Sequence, residues 1–268
     1  MNDTAILLYL DLLKRCLINL IYQDPPIPAP WHDNVSFDLE ARLCGRDWPS
    51  QAHTMIGMKR LNNVQELVQD ILQMGVRGDF IETGVARGGA TIFMRGLLKA
   101  YGVTDRIVWV ADSFEGPPSP TQLTERSYSS PEFKQIQAIE RNYSGELRKM
   151  YAQLRYGSSY DEVRQNFARY DLLDDQVRFL RGWFSDSLPS APIAQLALLR
   201  LDGDLYDSTY DALKWLYPKL STGGYVTVDD YHTFTECQQA VDDYLAAIGA
   251  DPVIQSIDDI AVFWRKHL

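Results

Sequence analysis

The sequence predicts an α/β protein built on one seven-stranded, mostly parallel sheet whose last strand runs antiparallel. Three observations predict it. Short apolar runs that end in an acid or a glycine alternate with longer segments whose apolar residues recur at helical spacing, the pattern of strand, crossover helix, strand. A glycine-punctuated turn, Gly84-Val85-Ala86-Arg87-Gly88-Gly89, follows the first such run and opens a helix. Two closing runs, 252–257 and 259–265, are joined by too short a turn for a parallel crossover, so they pair antiparallel.

Composition sets the class. The chain has 268 residues, 46% of them hydrophobic, enough for a packed core. A formal charge of −10 would repel nucleic acid and anionic membranes, so small molecules are the expected partners. Cys16, Cys44 and Cys237 have neither metal-type nor paired spacing, which points to a reducing, cytoplasmic location. The start has no basic n-region and no run reaches ~18 apolar residues, so neither a signal peptide nor a membrane span is expected.

Residues 4–22 set Leu7, Leu8, Leu10, Leu12, Leu13, Leu17, Leu20 and Ile21 on an apolar stripe broken by Asp11, Lys14 and Arg15, an amphipathic helix. Asp24-Pro25-Pro26-Ile27-Pro28-Ala29-Pro30 stops it and runs extended as a surface strap. A polar and aromatic loop over 46–58 precedes a helix over 59–74 and is placed to cover the glycine turn; His53 within it reads as a hydrogen-bonded structural histidine. Residues 79–83 are too short and too bounded by glycine for a helix and form the first strand, with a helix over 91–100 behind the turn. The second strand, 106–112, ends in Asp112. Residues 117–158 are polar and longer than an ordinary connection, the expected lid over a substrate site. A helix over 161–170 leads to a third strand at 176–182 and a fourth at 197–202, ending in Asp202. A helix over 208–217, a fifth strand at 223–231 carrying Asp229 and Asp230, and a helix over 238–248 complete the alternation. Residues 1–75 thus read as a helical extension with a covering segment, and 76–268 as the sheet domain with its lid insertion at about 117–158.

Open α/β sheets bind ligands at the carboxyl ends of their strands. Glycines in the first turn let a ligand approach the backbone, and Glu82 just before it suits a ligand's amine or hydroxyl groups. The Gly84-x-x-x-Gly88-Gly89 spacing departs from that of a nicotinamide pyrophosphate clamp. Asp112 is placed either to accept from ribose hydroxyls or to cap the turn Ser113–Gly116. Asp202, Asp229 and Asp230, at adjacent strand ends, would repel one another without a cation. An oxygen-only set suits Mg²⁺, with Mn²⁺ and Ca²⁺ taking the same donors. Asp204 and Asp207 lack the strand-end register and read as helix N-terminal acids. His232 directly follows the acid pair and is an alternative base to Asp202.

The order of parts is that of class I S-adenosylmethionine-dependent methyltransferases. Ile81-Glu82-Thr83-Gly84-Val85-x-Arg87-Gly88-Gly89, Ala111-Asp112-Ser113-Phe114-Glu115-Gly116, Leu199-Arg200-Leu201-Asp202-Gly203-Asp204 and Val228-Asp229-Asp230-Tyr231 together resemble the macrocin O-methyltransferase family. Tyr9-Leu10-Asp11-Leu12-Leu13-Lys14 and Ala52-His53-Thr54-Met55-Ile56-Gly57 resemble it too, most nearly its aminocoumarin (noviose) branch. The resemblance covers nearly the whole chain. Members methylate deoxysugar hydroxyls of macrolide and aminocoumarin antibiotics, so the resemblance implies a Rossmann-like methyltransferase fold, an O-methyltransferase and a small-molecule glycoside substrate. It implies cofactor contacts from Glu82, Thr83, Gly84, Gly88 and Gly89, from Asp112, Ser113 and Phe114, from Thr54 and Met55 over the methionine end, from Gly182, Trp183 and Phe184 by the adenine, and from Asp202. It likewise implies Asp202, Asp229 and Asp230 as Mg²⁺ ligands, Asp202 as the catalytic base, and a homo-oligomer, dimer or larger. Catechol-type methyltransferases carry a lysine three residues after the first aspartate, where this chain has Leu205. The rival readings are a nicotinamide-dependent oxidoreductase, which has no use for the aspartate trio, and a non-catalytic cofactor-binding protein.

Overall fold

The computed structural model describes residues 3–27, 36–116, 118, 124–128, 134 and 158–267. The expected lid at 117–158 and the end of the proline strap lie almost wholly outside these residues. The strands are β1 (Asp79–Thr83), β2 (Val108–Asp112), β3 (Val177–Arg181), β4 (Leu196–Leu201), β5 (Leu220–Val228), β6 (Gln255–Ser256) and β7 (Val262–Arg265). They form one seven-stranded sheet in the order β3-β2-β1-β4-β5-β7-β6. β1 to β5 are parallel, and β7 runs antiparallel between β5 and β6. This is the expected sheet with one reversed strand.

The described helices are α1 (Asp3–Leu17), α2 (Leu39–Leu43), α3 (Gly57–Gln73), α4 (Gly89–Ala100), α5 (Glu125–Tyr128), α6 (Tyr160–Arg169), α7 (Phe184–Ser187), α8 (Tyr206–Leu216) and α9 (Thr235–Ala247). α1 stops earlier than its apolar stripe suggests because Asn19 and Gln23 adopt φ of 52° and 54°, which no continuing right-handed helix tolerates. α2 and α7 are too short for a helical period to register in sequence. β2 starts at Val108, since the Arg106 guanidinium turns back to donate to the Gly78 and Val76 carbonyls at 2.8 and 2.6 Å.

Strand alternation sends successive residues into two cores. Phe80, Val108, Val110, Val177, Leu198 and Tyr225 pack under α1, α3 and α4. Ile81, Trp109, Ala111, Leu199, Leu201, Val226 and Val228 pack under α8 and α9. Burying each Val, Leu, Ile or Phe side chain among them is worth about 1.5–3 kcal/mol. With both faces covered, the carboxyl ends of the strands remain for chemistry. The order of connections reverses between β1 and β4, so the crevice opens where those two strands lie side by side.

Candidate active site

The glycine turn is shaped by close backbone approach. Gly84 has φ 83°, and a Cβ there would overlap the Asp202 carbonyl oxygen, so any side chain would push β1 and β4 apart. Gly89 donates its N–H to the His53 carbonyl at 3.0 Å. A Cβ on Gly89 would lie 2.5 Å from that oxygen and 2.6 Å from Thr54 Cβ. The 53–54 segment therefore rests directly on the turn, with Thr54 buried and Met55 half-buried. Arg87 fastens it, donating to the carbonyls of Ala52 at 2.7 Å and Ser50 at 2.9 Å. His53 Nδ1 lies 2.7 Å from the Tyr170 hydroxyl, and burial, then Arg169 and Arg87, depresses its pKa to about 4. It is a neutral packing residue.

Asp112, at the end of β2, accepts from Val85 N at 2.8 Å through Oδ2 and from Phe114 N at 2.8 Å through Oδ1. It caps its own turn and pins the glycine turn at once; burial raises its pKa against these donors. Ser113 Oγ donates to the Gly116 carbonyl at 3.1 Å. Phe114 is buried in a left-handed conformation (φ 56°), its ring edge-on to Tyr160. Gly182 donates to the Asp112 carbonyl at 3.0 Å, which brings Trp183 and Phe184, both half-buried, to the same rim.

The floor of the crevice is a buried charge network centred on Arg200, the one charged side chain in β4. Its Nη1 donates to Glu82 Oε1 at 2.9 Å and to Asp202 Oδ2 at 2.6 Å, and its Nη2 pairs with Asp229 Oδ1. The other oxygen of Asp229 is held by Arg60 Nη1 at 2.5 Å, and Arg60 Nε reaches Asp258 at 2.8 Å. Burial pushes Glu82 up to about 8 despite Arg200. Asp202 keeps 25% of its side chain open, yet burial and then the Asp229 charge push it up to about 7, Arg200 opposing.

Asp202, Asp204 and Asp230 each bring a carboxylate oxygen within 4.8 Å of the others. Asp204 adopts φ 60°, which brings its carboxylate beside that of Asp230. Two carboxylates so placed must hold a proton or a cation between them. Burial, then Asp204, Asp202 and Asp229, drive the Asp230 pKa well above its ordinary value. Three buried polar atoms here have no partner among the described residues: Glu82 Oε2, Asp230 Oδ2 and Arg60 Nη2.

The three strand-end acids are held in different ways, with Asp202 and Asp229 bridged by Arg200. Asp202 and Asp230 lie together, while Asp229 is clamped by two arginines and Asp204 stands in the oxygen cluster. Asp207 does sit in the first turn of α8, accepting from Thr124 N and Oγ1 at 2.7 Å. Leu205 is buried, and His232 is exposed with its ring edge-on to Tyr231. Sequence reasoning missed Arg60, Arg200 and Asp258. Only Arg200 carried a signal, a lone charge inside an apolar strand run.

The chain matches the family described as Macrocin-O-methyltransferase (TylF) over residues 7–266. It is 49% identical over 268 residues to the 8-demethyl-8-(2,3-dimethoxy-alpha-L-rhamnosyl)-tetracenomycin-C 4'-O-methyltransferase of Streptomyces olivaceus, spanning 99% of this chain and 95% of that one. It is 48% identical over 263 residues to the demethyldecarbamoylnovobiocin O-methyltransferase of Streptomyces niveus, spanning 97% and 93%. Among solved structures, the O-methyltransferase NovP superposes with a TM-score of 0.83 at 47% identity, covering 98% of this chain and all of that one. No described helix is long and apolar enough to cross a membrane. The chain belongs to the macrocin O-methyltransferase family and is an O-methyltransferase.

Proposed function

We propose that this enzyme moves a methyl group from S-adenosylmethionine to a sugar hydroxyl of a glycosylated, antibiotic-type natural product, assisted by Mg²⁺. The observation that carries the reading is adjacency. Asp202 N donates to the Thr83 carbonyl at 2.9 Å, so the glycine turn and the carboxylate cluster share one crevice. The relatives' names support the acceptor class. They specify two unlike scaffolds at nearly equal identity, so identity alone selects no particular glycoside.

The residues fit both absent groups. Glu82 Oε2, buried and without a partner among the described residues, offers an acceptor to the amine of the donor's methionine part, and Gly84 and Gly89 let the turn lie tight against Asp202 and the 53–54 segment. Thr83, Asp112, Ser113 and Phe114 would contact the ribose and adenosine, Thr54 and Met55 the methionine end, and Gly182, Trp183 and Phe184 the adenine. For the cation, Asp202 and Asp230 present oxygens to one point. Asp229 keeps a spare lone pair on each oxygen beside its arginine partners. Asp204 adds a further oxygen. An oxygen-only set that leaves positions for water and substrate suits Mg²⁺, which takes few protein carboxylates.

When bound, the cation supplies a Lewis acid that acidifies the acceptor hydroxyl, and the sulfonium supplies an electrophilic methyl. The protein's own residues do the rest. Asp202 takes the hydroxyl proton at its carboxylate, Arg200 keeps that carboxylate oriented, and the 52–55 segment covers the turn against water. Incubating the enzyme with S-adenosylmethionine, Mg²⁺ and a panel of glycosides should give products heavier by one methyl, and a chelator should stop the reaction. Asp202→Asn should abolish turnover; parental turnover in that variant would refute the assignment.

A further inference from the structure

We infer that Arg60, contributed by helix α3 outside the parallel sheet, is a positioning residue for the cation site: it fixes the orientation of Asp229. The inference rests on the cation site proposed above. Arg60 lies in the first turn of α3, and its side chain is 7% exposed. One arm, Nη1, holds Asp229 Oδ2 at 2.5 Å; the other, Nε, holds Asp258 Oδ2 at 2.8 Å. Asp258 is itself immobilised, because its Oδ1 accepts from Ile260 N and Ala261 N, each at 2.8 Å, in the turn between β6 and β7. The guanidinium is thus a rigid strut between that turn and the acid pair at the end of β5. Arg200 grips the opposite oxygen of Asp229 from β4. With one planar fork on each oxygen, the carboxylate has no freedom to rotate, and a cation meets it already oriented.

Charge and geometry predict opposite results, which makes the role testable. Arg60 is a positive charge beside a cation site, so by Coulomb's law alone its removal should tighten cation binding. A positioning role predicts weaker binding. Arg60→Lys keeps the charge and loses the two-armed fork, so it isolates geometry. Asp258→Asn keeps the oxygen that caps the β6–β7 turn and replaces the one that receives Arg60.

Mn²⁺, which takes the same donors, is titrated into the full-length enzyme by electron paramagnetic resonance, and S-adenosylhomocysteine affinity is measured by calorimetry on the same samples. Arg60→Lys should weaken Mn²⁺ binding about tenfold, and Asp258→Asn about threefold, with S-adenosylhomocysteine affinity within twofold of parental. Parental Mn²⁺ affinity in both variants, or tighter binding in Arg60→Gln, overturns the inference while leaving the cation site standing. If the parental enzyme binds Mn²⁺ no better than a variant carrying both Asp202→Asn and Asp230→Asn, the cation site falls and Arg60's role falls with it.

Discussion

Gly84 and Asp202 touch backbone to backbone. The turn after β1 passes so near the end of β4 that the Asp202 carbonyl occupies the space a Gly84 side chain would need. The glycine also sits at φ 83°, a region that other residues enter at a cost of about 1–3 kcal/mol. Gly84→Ala should therefore lose about 3 kcal/mol or more of stability, since strain and overlap act together. Urea unfolding of the purified variant measures this, and an unchanged midpoint would contradict the described packing.

Arg200 is one cation shared by Glu82, Asp202 and Asp229. Removing one member of a buried ion network leaves uncompensated charge and costs about 3–5 kcal/mol. Arg200→Met should fall in that range by denaturant unfolding. Arg200→Lys should recover less than half of it, because an ammonium lacks the planar fork that reaches three acids.

Arg87 should act on cofactor affinity through the covering segment. Without its bonds to the Ser50 and Ala52 carbonyls, Arg87→Ala should weaken S-adenosylhomocysteine binding about tenfold, ~1.4 kcal/mol. Calorimetry tests this against Arg164→Ala on the exposed face of α6, which should bind as the parent does.

His53 gives a pH dependence of defined sign. Its pKa falls from 6.5 in the unfolded chain to about 4 in the fold, so between those values the unfolded state binds the extra proton. Its contribution to stability is complete above pH 6.5 and is lost as pH falls toward 4. The parent should lose about 1–2 kcal/mol more than His53→Gln between pH 7 and 4.5, allowing for the partial exposure of the ring. Thermal melts across that range provide the comparison, and parallel curves would contradict the half-buried, neutral histidine.

The legible part of the fold was the part written in local pattern. The five parallel strands, the reversed closing strand and the glycine turn follow from apolar runs, turn residues and the length of one connection. Strand ends were legible to within a few residues, so Asp202, Asp229 and Asp230 could be placed at the crevice. What could not be read is which carboxylate faces which cation. Asp229 and Asp230 are neighbours in sequence, yet one is claimed by Arg60 from a helix 169 residues away and the other turns to Asp204. Such choices depend on side-chain direction across elements, and no local period records them. Asp204 was masked by its position past the strand end, where a left-handed residue bends the chain back toward the acids.

The reversed strand sets an order of events on the ribosome. β5 gains its outer neighbour only when β7, roughly 35 residues later, has been made; at about 5–20 residues per second this is a wait of roughly 2–7 s. In that interval the edge of β5 is bare and Asp258, the anchor of Arg60, does not yet exist. The strut that holds Asp229 through Arg60 is therefore completed only after all five parallel strands have been made.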